Sequence, residues 1–192
     1  MESGRNVYAA ILAGGSGTRM GNPEKPKQFL MLGSKPIIAH TVEKFCAEGV
    51  FERVLVLCPE SWIQKTQDLL RRYCPDCCQD VAVIAGGSTR NDTVRNAISY
   101  LCENHAVDDS SIIVTHDAVR PFVSHRIIEE NIQAVIDCGA CDTVVPATDT
   151  IVQSLTARLS RPFPTEASCI KGKRRSRSSC LSSKRLWKAF RR

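Results

Sequence analysis

The 192-residue chain contains no apolar run of the roughly 18–20 residues that cross a bilayer. Its first residues also lack the basic stretch, apolar core and small-residue cleavage site of a secretory signal. These absences argue against a membrane-spanning helix and against secretion. We therefore expect a cytoplasmic protein, and at this length we expect one main domain with a sizeable core.

The ten cysteines do not have the spacing of a disulfide framework. Four of them lie among apolar residues, where a thiol behaves as a small hydrophobe: Cys46, Cys58, Cys102 and Cys138. Cys74-x-x-Cys77 and Cys138-x-x-Cys141 suggest zinc, but they are about 60 residues apart, against about 12–20 in compact zinc modules. We therefore expect reduced thiols and no zinc site.

Acidic residues are nearly missing from the end of the chain. Residues 155–192 contain one, Glu166, and 12 Lys and Arg, a net charge of +11. Residues 1–154 contain 14 Lys and Arg and 19 Asp and Glu, a net charge of −5. We therefore predict a mildly acidic domain over 1–154 and a basic, disordered or aberrant tail over 155–192.

The stretch 12–29, L-A-G-G-S-G-T-R-M-G-N-P-E-K-P-K-Q-F, follows an apolar run and combines four glycines with two cations. No G-K-[ST] ends it, so it is not a Walker loop, and Met20 occupies the third glycine position of G-x-G-x-x-G. Glycines allow positive φ and close approach of a ligand, while bare N–H groups and fixed cations bind phosphate oxygens. The stretch predicts a site for a nucleoside triphosphate.

This stretch resembles the sugar-phosphate cytidylyltransferases, which use CTP to activate a polyol phosphate and release pyrophosphate. Three further segments carry the same resemblance, G-G-S-T-R-N-D at 86–92, T-H-D-A-V-R-P-F at 115–122 and D-T-I-V at 149–152. The resemblance covers roughly residues 7–154. Residues 40–45 and 124–132 are most similar to the ribitol-5-phosphate branch, and the methylerythritol-phosphate branch is the next nearest.

Apolar runs alternate with helical patterns along residues 7–146. Unbroken Val/Ile/Leu strands alternating with helices predict an α/β fold of three layers, with a largely parallel sheet covered on both faces. The resemblance implies the same Rossmann-like nucleotidyltransferase fold, here C-terminally incomplete. The predicted strands are 7–12, 53–58, 81–85, 112–115 and 142–146, and the predicted helices are 36–48, 61–73 (capped by Ser61), 89–101 and one capped by Ser124.

Three of the four motifs directly follow a predicted strand. Since ligands bind outside the carboxyl ends of parallel strands, we expect the three loops to build one site. For attack on the α-phosphorus of CTP, the chemistry needs positioning and cations rather than a covalent nucleophile. Arg19 and Lys27 are the predicted transition-state cations, as the resemblance also implies.

The remaining predicted CTP contacts come from the first two loops. Gly86 and Gly87 with Ser88 suit a base and ribose pocket, Arg90 could hold the nucleotide, and Asp92 could instead stabilise a helix N-terminus. The full predicted CTP set is Leu12, Ala13, Gly14, Gly15, Gly17, Gly86, Gly87, Ser88, Arg90, Asn91 and Asp92.

Asp117 ends a strand, where an acid packs poorly, and is the predicted ligand of Mg²⁺. We interpret the neighbouring His116 as structural, because a phosphate nucleophile is already an anion. Arg120 is a predicted partner of Asp117 or of the substrate. The resemblance implies that Asp149 and Thr150 hold the substrate phosphate across a homodimer.

The resemblance stops after Ser154. The tail is interpreted as a basic nucleic-acid arm, a disordered tail or, as our hypothesis, the product of a reading-frame slip near residue 155. One coding of the family segment P-D-R-S-K-L-Y-Q-G-Q-T-P-Q-S-F, read one base later, gives residues 164–178 without a gap. Resequencing the gene would test the slip.

The sequence therefore predicts a Mg²⁺-dependent cytidylyltransferase acting on CTP and a polyol phosphate, most closely D-ribitol 5-phosphate for wall or capsule polymers, with no membrane or specific nucleic-acid partner. One alternative is the 2-C-methyl-D-erythritol 4-phosphate enzyme of isoprenoid synthesis. The other is an inactive nucleotide-binding remnant whose tail binds polyanions. Because family residues beyond 154 are missing, we expect weak turnover and a damaged dimer arm.

Overall fold

The computed structural model describes residues 5–15, 26–144 and 178–182, the last as backbone only. These residues include six strands of one sheet and a small hairpin. The sheet strands are β1 (Val7–Leu12), β4 (Arg53–Cys58), β5 (Val81–Ala85), β6 (Ile112–Asp117), β7 (Ala140–Asp142) and β8 (Ser178–Ser182), and the hairpin strands are β2 (Met31–Leu32) and β3 (Lys35–Pro36). The helices are α1 (Ile37–Cys46), α2 (Ile63–Tyr73), α3 (Arg90–Asn104) and α4 (His125–Cys138).

The strand order of the main sheet is β5-β4-β1-β6-β8-β7. The first four strands are parallel, and β8 is antiparallel to both of its neighbours. Leu12 at the end of β1 is in register with Leu57 of β4 and with Asp117 of β6. The carboxyl ends of these strands therefore lie along one edge, as the sequence predicts.

Side chains of β1 alternate between two apolar cores, one on each face of the sheet. Val7, Ala9 and Ile11 belong to the core that contains the buried residues of α1, α2 and α4. Tyr8 and Ala10 belong to the second core, which contains the buried residues of α3. A strand buried on both faces reads as an unbroken apolar run, and this three-layer arrangement confirms the predicted fold class.

The helix α3 begins with a capping box. The Thr89 hydroxyl accepts from the Asp92 N–H at 3.1 Å, and the Asp92 carboxylate accepts from the Thr89 N–H at 3.1 Å. These two bonds satisfy donors that helix geometry leaves unpaired. The cap fixes the loop after β5, and it confirms the prediction that Asp92 stabilises the helix N-terminus.

The helix α4 is capped as predicted, because the Ser124 side chain accepts from the Ile127 N–H. The predicted Ser61 cap of α2 is wrong. Ser61 lies in a short 3₁₀ turn over Glu60–Trp62, and α2 starts at Ile63 without a side-chain cap.

The strand β6 extends to Asp117, beyond the predicted 112–115, and two other sheet strands differ more from the predictions. The strand predicted over 142–146 is observed as Ala140–Asp142, because Gly139 ends α4 at φ 81° and the chain then pairs at once with β8. The described part of 142–146 ends at Val144. The strand β8 lies within the tail that is predicted to be disordered or aberrant. Its ladder partners are distant in sequence, which local patterns do not reveal.

Candidate nucleotide-binding site

Three loops and one short helix enclose a cavity of about 530 Å³ at the carboxyl edge of the sheet. The loops follow β1, β5 and β6, the three strand ends from which the sequence predicts a common site. The residues that line the cavity are Leu12, Ala13, Gly14, Gly15, Lys27, Gln28, Gly87, Ser88, Thr89, Arg90, Thr93, Asp117, Ala118 and Val119. The structure thus brings together most of the predicted CTP set with Lys27 and Asp117.

The loop after β1 is held by backbone bonds to both neighbouring strands. The Ala13 N–H donates to the Leu57 carbonyl at 2.7 Å, and the Ala118 N–H donates to the Leu12 carbonyl at 3.0 Å. Gly14 and Gly15 have no positive φ, so the predicted conformational reason for these glycines is wrong. A Cβ on either glycine would meet nothing within 4 Å. Their lack of a side chain leaves open space at the cavity wall, which suits close approach of a ligand.

Lys27 starts a 3₁₀ turn, Lys27–Phe29, directly after Pro26. Phe29 is buried and stacks on Trp62 with ring centroids 4.6 Å apart, which anchors the turn in the core. Lys27 therefore lines the cavity from a fixed backbone. The other predicted cation, Arg19, and Gly17 lie outside the described residues.

The loop after β5 depends on Gly87. A Cβ at this position would stand 2.3 Å from the Asp92 Cβ and 2.8 Å from the Thr93 nitrogen, so only glycine fits without a backbone shift. The Gly87 N–H donates to the Thr93 hydroxyl at 3.0 Å. Gly86 does not line the cavity, and its N–H donates to the Cys58 carbonyl at 2.8 Å.

Three polar residues at the start of α3 have different surroundings. The Ser88 hydroxyl lines the cavity but donates to Asp92 at 2.9 Å. Hydrogen bonds from Thr89, Ser88 and Arg95 hold the pKa of Asp92 below its usual value. Asp92 and the exposed Asn91 are not part of the cavity lining, so their predicted contact with CTP remains a prediction.

Asp117 accepts one arginine on each carboxylate oxygen. Arg90 Nη1 lies 2.5 Å from Oδ1, and Arg120 Nε lies 2.9 Å from Oδ2. Desolvation alone raises the pKa of Asp117, but the hydrogen bonds and charges of both guanidinium groups outweigh it and lower that pKa. The predicted Asp117–Arg120 partnership is present, and Arg90 joins the loops after β5 and β6.

His116 is fully buried and does not line the cavity. Its Nε2 lies 3.0 Å from the Arg120 carbonyl oxygen, which can only accept, so Nε2 carries the proton. Burial lowers the pKa of His116 and favours the neutral ring. This arrangement agrees with the structural role predicted for His116, because the ring holds the turn that presents Asp117.

The described part of the cavity contains one carboxylate, Asp117. No group of three or more His, Cys, Asp or Glu among the described residues is arranged to hold a metal, and none of the eight described cysteines forms a disulfide. Mg²⁺ usually binds proteins through one or two carboxylates and completes its shell with phosphate oxygens and water. A single carboxylate beside the predicted phosphate site fits that donor set, since each oxygen of Asp117 retains a second lone pair.

Sequence reasoning missed Gln28, Thr89, Thr93, Ala118 and Val119 as cavity residues. Three of them have a recognisable pattern in the sequence. Thr89 and Thr93 are spaced i, i+4 at a helix start, and Gln28 is a lone amide beside an apolar run. The predicted Asp149 and Thr150 lie outside the described residues, while Arg120 lies beside the cavity on Asp117.

A family model described as IspD, 2-C-methyl-D-erythritol 4-phosphate cytidylyltransferase, matches residues 7–159. The chain belongs to this family. The ribitol-5-phosphate cytidylyltransferase of Lactiplantibacillus plantarum is 51% identical to it over 147 residues, which are 77% of this chain and 62% of the relative. The chain thus spans less than two thirds of the length of that curated relative.

Solved structures show the same fold. The 4-diphosphocytidyl-2C-methyl-D-erythritol synthase of Anaerococcus prevotii aligns with a TM-score of 0.72 at 20% identity, covering 97% of this chain and 75% of that one. The 2-C-methyl-D-erythritol 4-phosphate cytidylyltransferase of Francisella tularensis aligns with a TM-score of 0.71 at 24% identity, covering 97% and 76%. Among the described residues, no helix is both long enough and apolar enough to span a bilayer.

Proposed function

We propose that this member of the IspD family transfers a cytidylyl group from CTP to D-ribitol 5-phosphate, giving CDP-ribitol and pyrophosphate. One observation carries the proposal. Lys27, the open glycine loop and the Arg90–Asp117 pair line a single cavity at the carboxyl edge of the sheet. The 51% identity to a ribitol-5-phosphate cytidylyltransferase supports the choice of substrate.

In the proposed reaction, a phosphate oxygen of the polyol phosphate attacks the α-phosphorus of CTP in line with the leaving pyrophosphate. Negative charge increases on the α-phosphate oxygens and on the leaving group. Lys27 neutralises part of this charge, and the N–H groups of Gly14 and Gly15 donate to the phosphates. Arg19 is proposed as the second cation.

The loop after β5 is proposed to hold the nucleoside. Gly87 brings its backbone close to Thr93. The capping box fixes the backbone from Ser88 through Arg90 before a ligand binds. A fixed pocket loses little conformational entropy on binding. Backbone groups at Gly87 and Ser88 would read the edge of the base.

Mg²⁺ is proposed as the cofactor, with Asp117 as its protein ligand. A bound Mg²⁺ would neutralise phosphate charge and orient the triphosphate. Arg90 and Arg120 would keep the Asp117 carboxylate ionised and aimed at one place. Arg120, Asp149 and Thr150 are proposed to hold the polyol phosphate. In this proposal the protein is a homodimer, and Asp149 and Thr150 come from the partner subunit. We also propose that the enzyme is cytoplasmic.

The description of the matching family favours a second substrate, 2-C-methyl-D-erythritol 4-phosphate. A direct comparison separates the two. Pyrophosphate release is measured with CTP, Mg²⁺ and each polyol phosphate in turn, and CTP binding is measured by calorimetry. Release that depends on ribitol 5-phosphate supports our proposal, and release with only the methylerythritol phosphate supports the alternative. CTP binding with no turnover on either favours an inactive remnant.

A further inference from the structure

Gln28 is a buried amide that the proposed reaction does not yet use. Its side chain is 2% exposed although it lines the cavity. Its Nε2 donates to the Ala13 carbonyl at 2.6 Å and reaches the Gly15 carbonyl at 3.4 Å. One side chain thus contacts two carbonyls of the glycine loop from a position 13 to 15 residues later in the chain.

These bonds determine the direction of backbone donors in the loop. A trans peptide is planar, so the Ala13 carbonyl and the Gly14 N–H point in opposite directions. When Gln28 fixes that carbonyl, it also fixes the Gly14 N–H on the opposite side of the peptide plane. The N–H groups of Gly14 and Gly15 have no acceptor within the described ranges. They are the donors that a phosphate would need.

Gln28 also belongs to the 3₁₀ turn that presents Lys27. Gln28 and Phe29 are both buried, whereas Lys27 is only partly buried and faces the cavity. The Gln28 amide therefore ties the backbone that carries the cation to the backbone that carries the donors. A shift in one element moves the other.

We propose that Gln28 is a positioning residue that holds the glycine loop and Lys27 in one phosphate-binding geometry. The inference rests on the proposed binding of CTP and deepens it. Gln28 acts through the Ala13 and Gly15 carbonyls, so it sets the affinity for the triphosphate. A glutamine with a packing role alone would contribute to stability and not to this affinity.

Two substitutions of similar size separate these roles. Gln28→Met keeps the volume and removes the donor, leaving two loop carbonyls without their partner. Gln28→Glu keeps the shape but places a carboxylate against the same carbonyls. Burial next to two oxygens raises the pKa of such a carboxyl, and the protonated form carries one O–H that donates again. Binding by Gln28→Glu should therefore recover as the pH falls.

The experiment is calorimetric titration of the full chain with CTP, and with inorganic tripolyphosphate as a second probe, at pH 6 and pH 8. We expect Gln28→Met to bind both probes about ten- to hundredfold more weakly than the wild type at either pH. Gln28→Glu should bind both probes at least as weakly as Gln28→Met at pH 8. At pH 6 its affinity should be closer to that of the wild type. Affinities are compared with the wild type at the same pH, because the phosphates also titrate.

Asn131→Leu is the matched control for lost stability. Asn131 is a buried amide on α4 that bonds the Ile127 carbonyl at 2.6 Å and does not line the cavity. This variant should unfold more easily yet bind both probes like the wild type. Circular dichroism shows that each variant is folded at the titration temperature.

The outcomes distinguish the inference from the proposed function. A wild-type chain that binds neither probe overturns the proposed function and this inference with it. A wild-type chain that binds, with Gln28→Met binding equally well, overturns the inference alone. The inference is also overturned if Gln28→Glu shows no recovery at pH 6 relative to Gln28→Met.

Discussion

Arg90 and Asp117 are joined by an ion pair of 2.5 Å although 27 residues separate them in the chain. Arg90 opens α3 and Asp117 closes β6, so the pair connects two walls of the cavity. The same carboxylate accepts Arg120 on its other oxygen. The position of the carboxylate is thus set by two guanidinium groups rather than by its own backbone alone.

We expect Asp117→Asn to lower turnover about a hundredfold or more, because the amide cannot neutralise both arginines or serve as an anionic ligand. The free energy of unfolding should fall by roughly 1–3 kcal/mol. We expect a value near the lower limit because the Arg90 side chain is 37% exposed, so that solvent screens the pair. Pyrophosphate release and urea unfolding measure the two effects. Asp68→Asn, which breaks the exposed pair with Arg71, should change neither, and a wild-type rate in Asp117→Asn would contradict the assigned role.

Alanine substitutions at Gly15 and Gly87 should affect different properties, ligand binding in the first case and stability in the second. Gly15→Ala adds a methyl group to open space, so stability should stay within about 0.5 kcal/mol while CTP binding weakens. Gly87→Ala forces a contact of 2.3 Å with Asp92 and should cost about 1–3 kcal/mol. Thermal unfolding and CTP titration measure both variants. Equal losses of stability would show that the open space at Gly15 does not exist in solution.

Lys27→Gln should lower the rate of pyrophosphate release about a hundred- to thousandfold, since it removes the charge that is proposed to stabilise the transition state. Its effect on unfolding should be small, because the buried anchors of the turn are Gln28 and Phe29. Lys44→Gln, on α1 away from the cavity, provides the charge-matched control. If Lys27→Gln and Lys44→Gln turned over at the same rate, Lys27 would have no catalytic role.

His116 should make stability depend on pH. Its folded pKa is lowered by burial, so the unfolded chain takes up a proton at its ordinary value of about 6.5 while the folded chain does not. The stability that comes from the neutral ring is therefore present above pH 6.5 and is lost as the pH falls towards the lower folded pKa. His116→Gln should flatten this part of the profile. Melting temperatures from pH 5 to pH 8 measure it, with His40→Gln as the control; identical slopes in His116→Gln and wild type would refute the assignment.

Strand patterns were predicted well because they depend on local composition. The bounds of β1, β4 and β5 agree with the prediction, since a strand buried on both faces is apolar throughout. The hairpin of β2 and β3 was missed because its strands have only two residues each. The strand β8 was missed because its partners, β6 and β7, are far away in sequence.

The sequence by itself determined the family, the alternation of strands and helices, and the set of strand-end motifs for which phosphate binding is proposed, because spacing and residue type are read directly from the order of the chain. Only the tertiary structure decided which groups meet. In the folded chain Asp117 pairs with Arg90, and the Gln28 amide donates to the Ala13 carbonyl of the glycine loop. The tertiary structure also assigned Asp92 to a helix cap. Such contacts depend on directions and distances between loops that no local pattern encodes, since each loop is placed by the strand it follows and by the packing of the core.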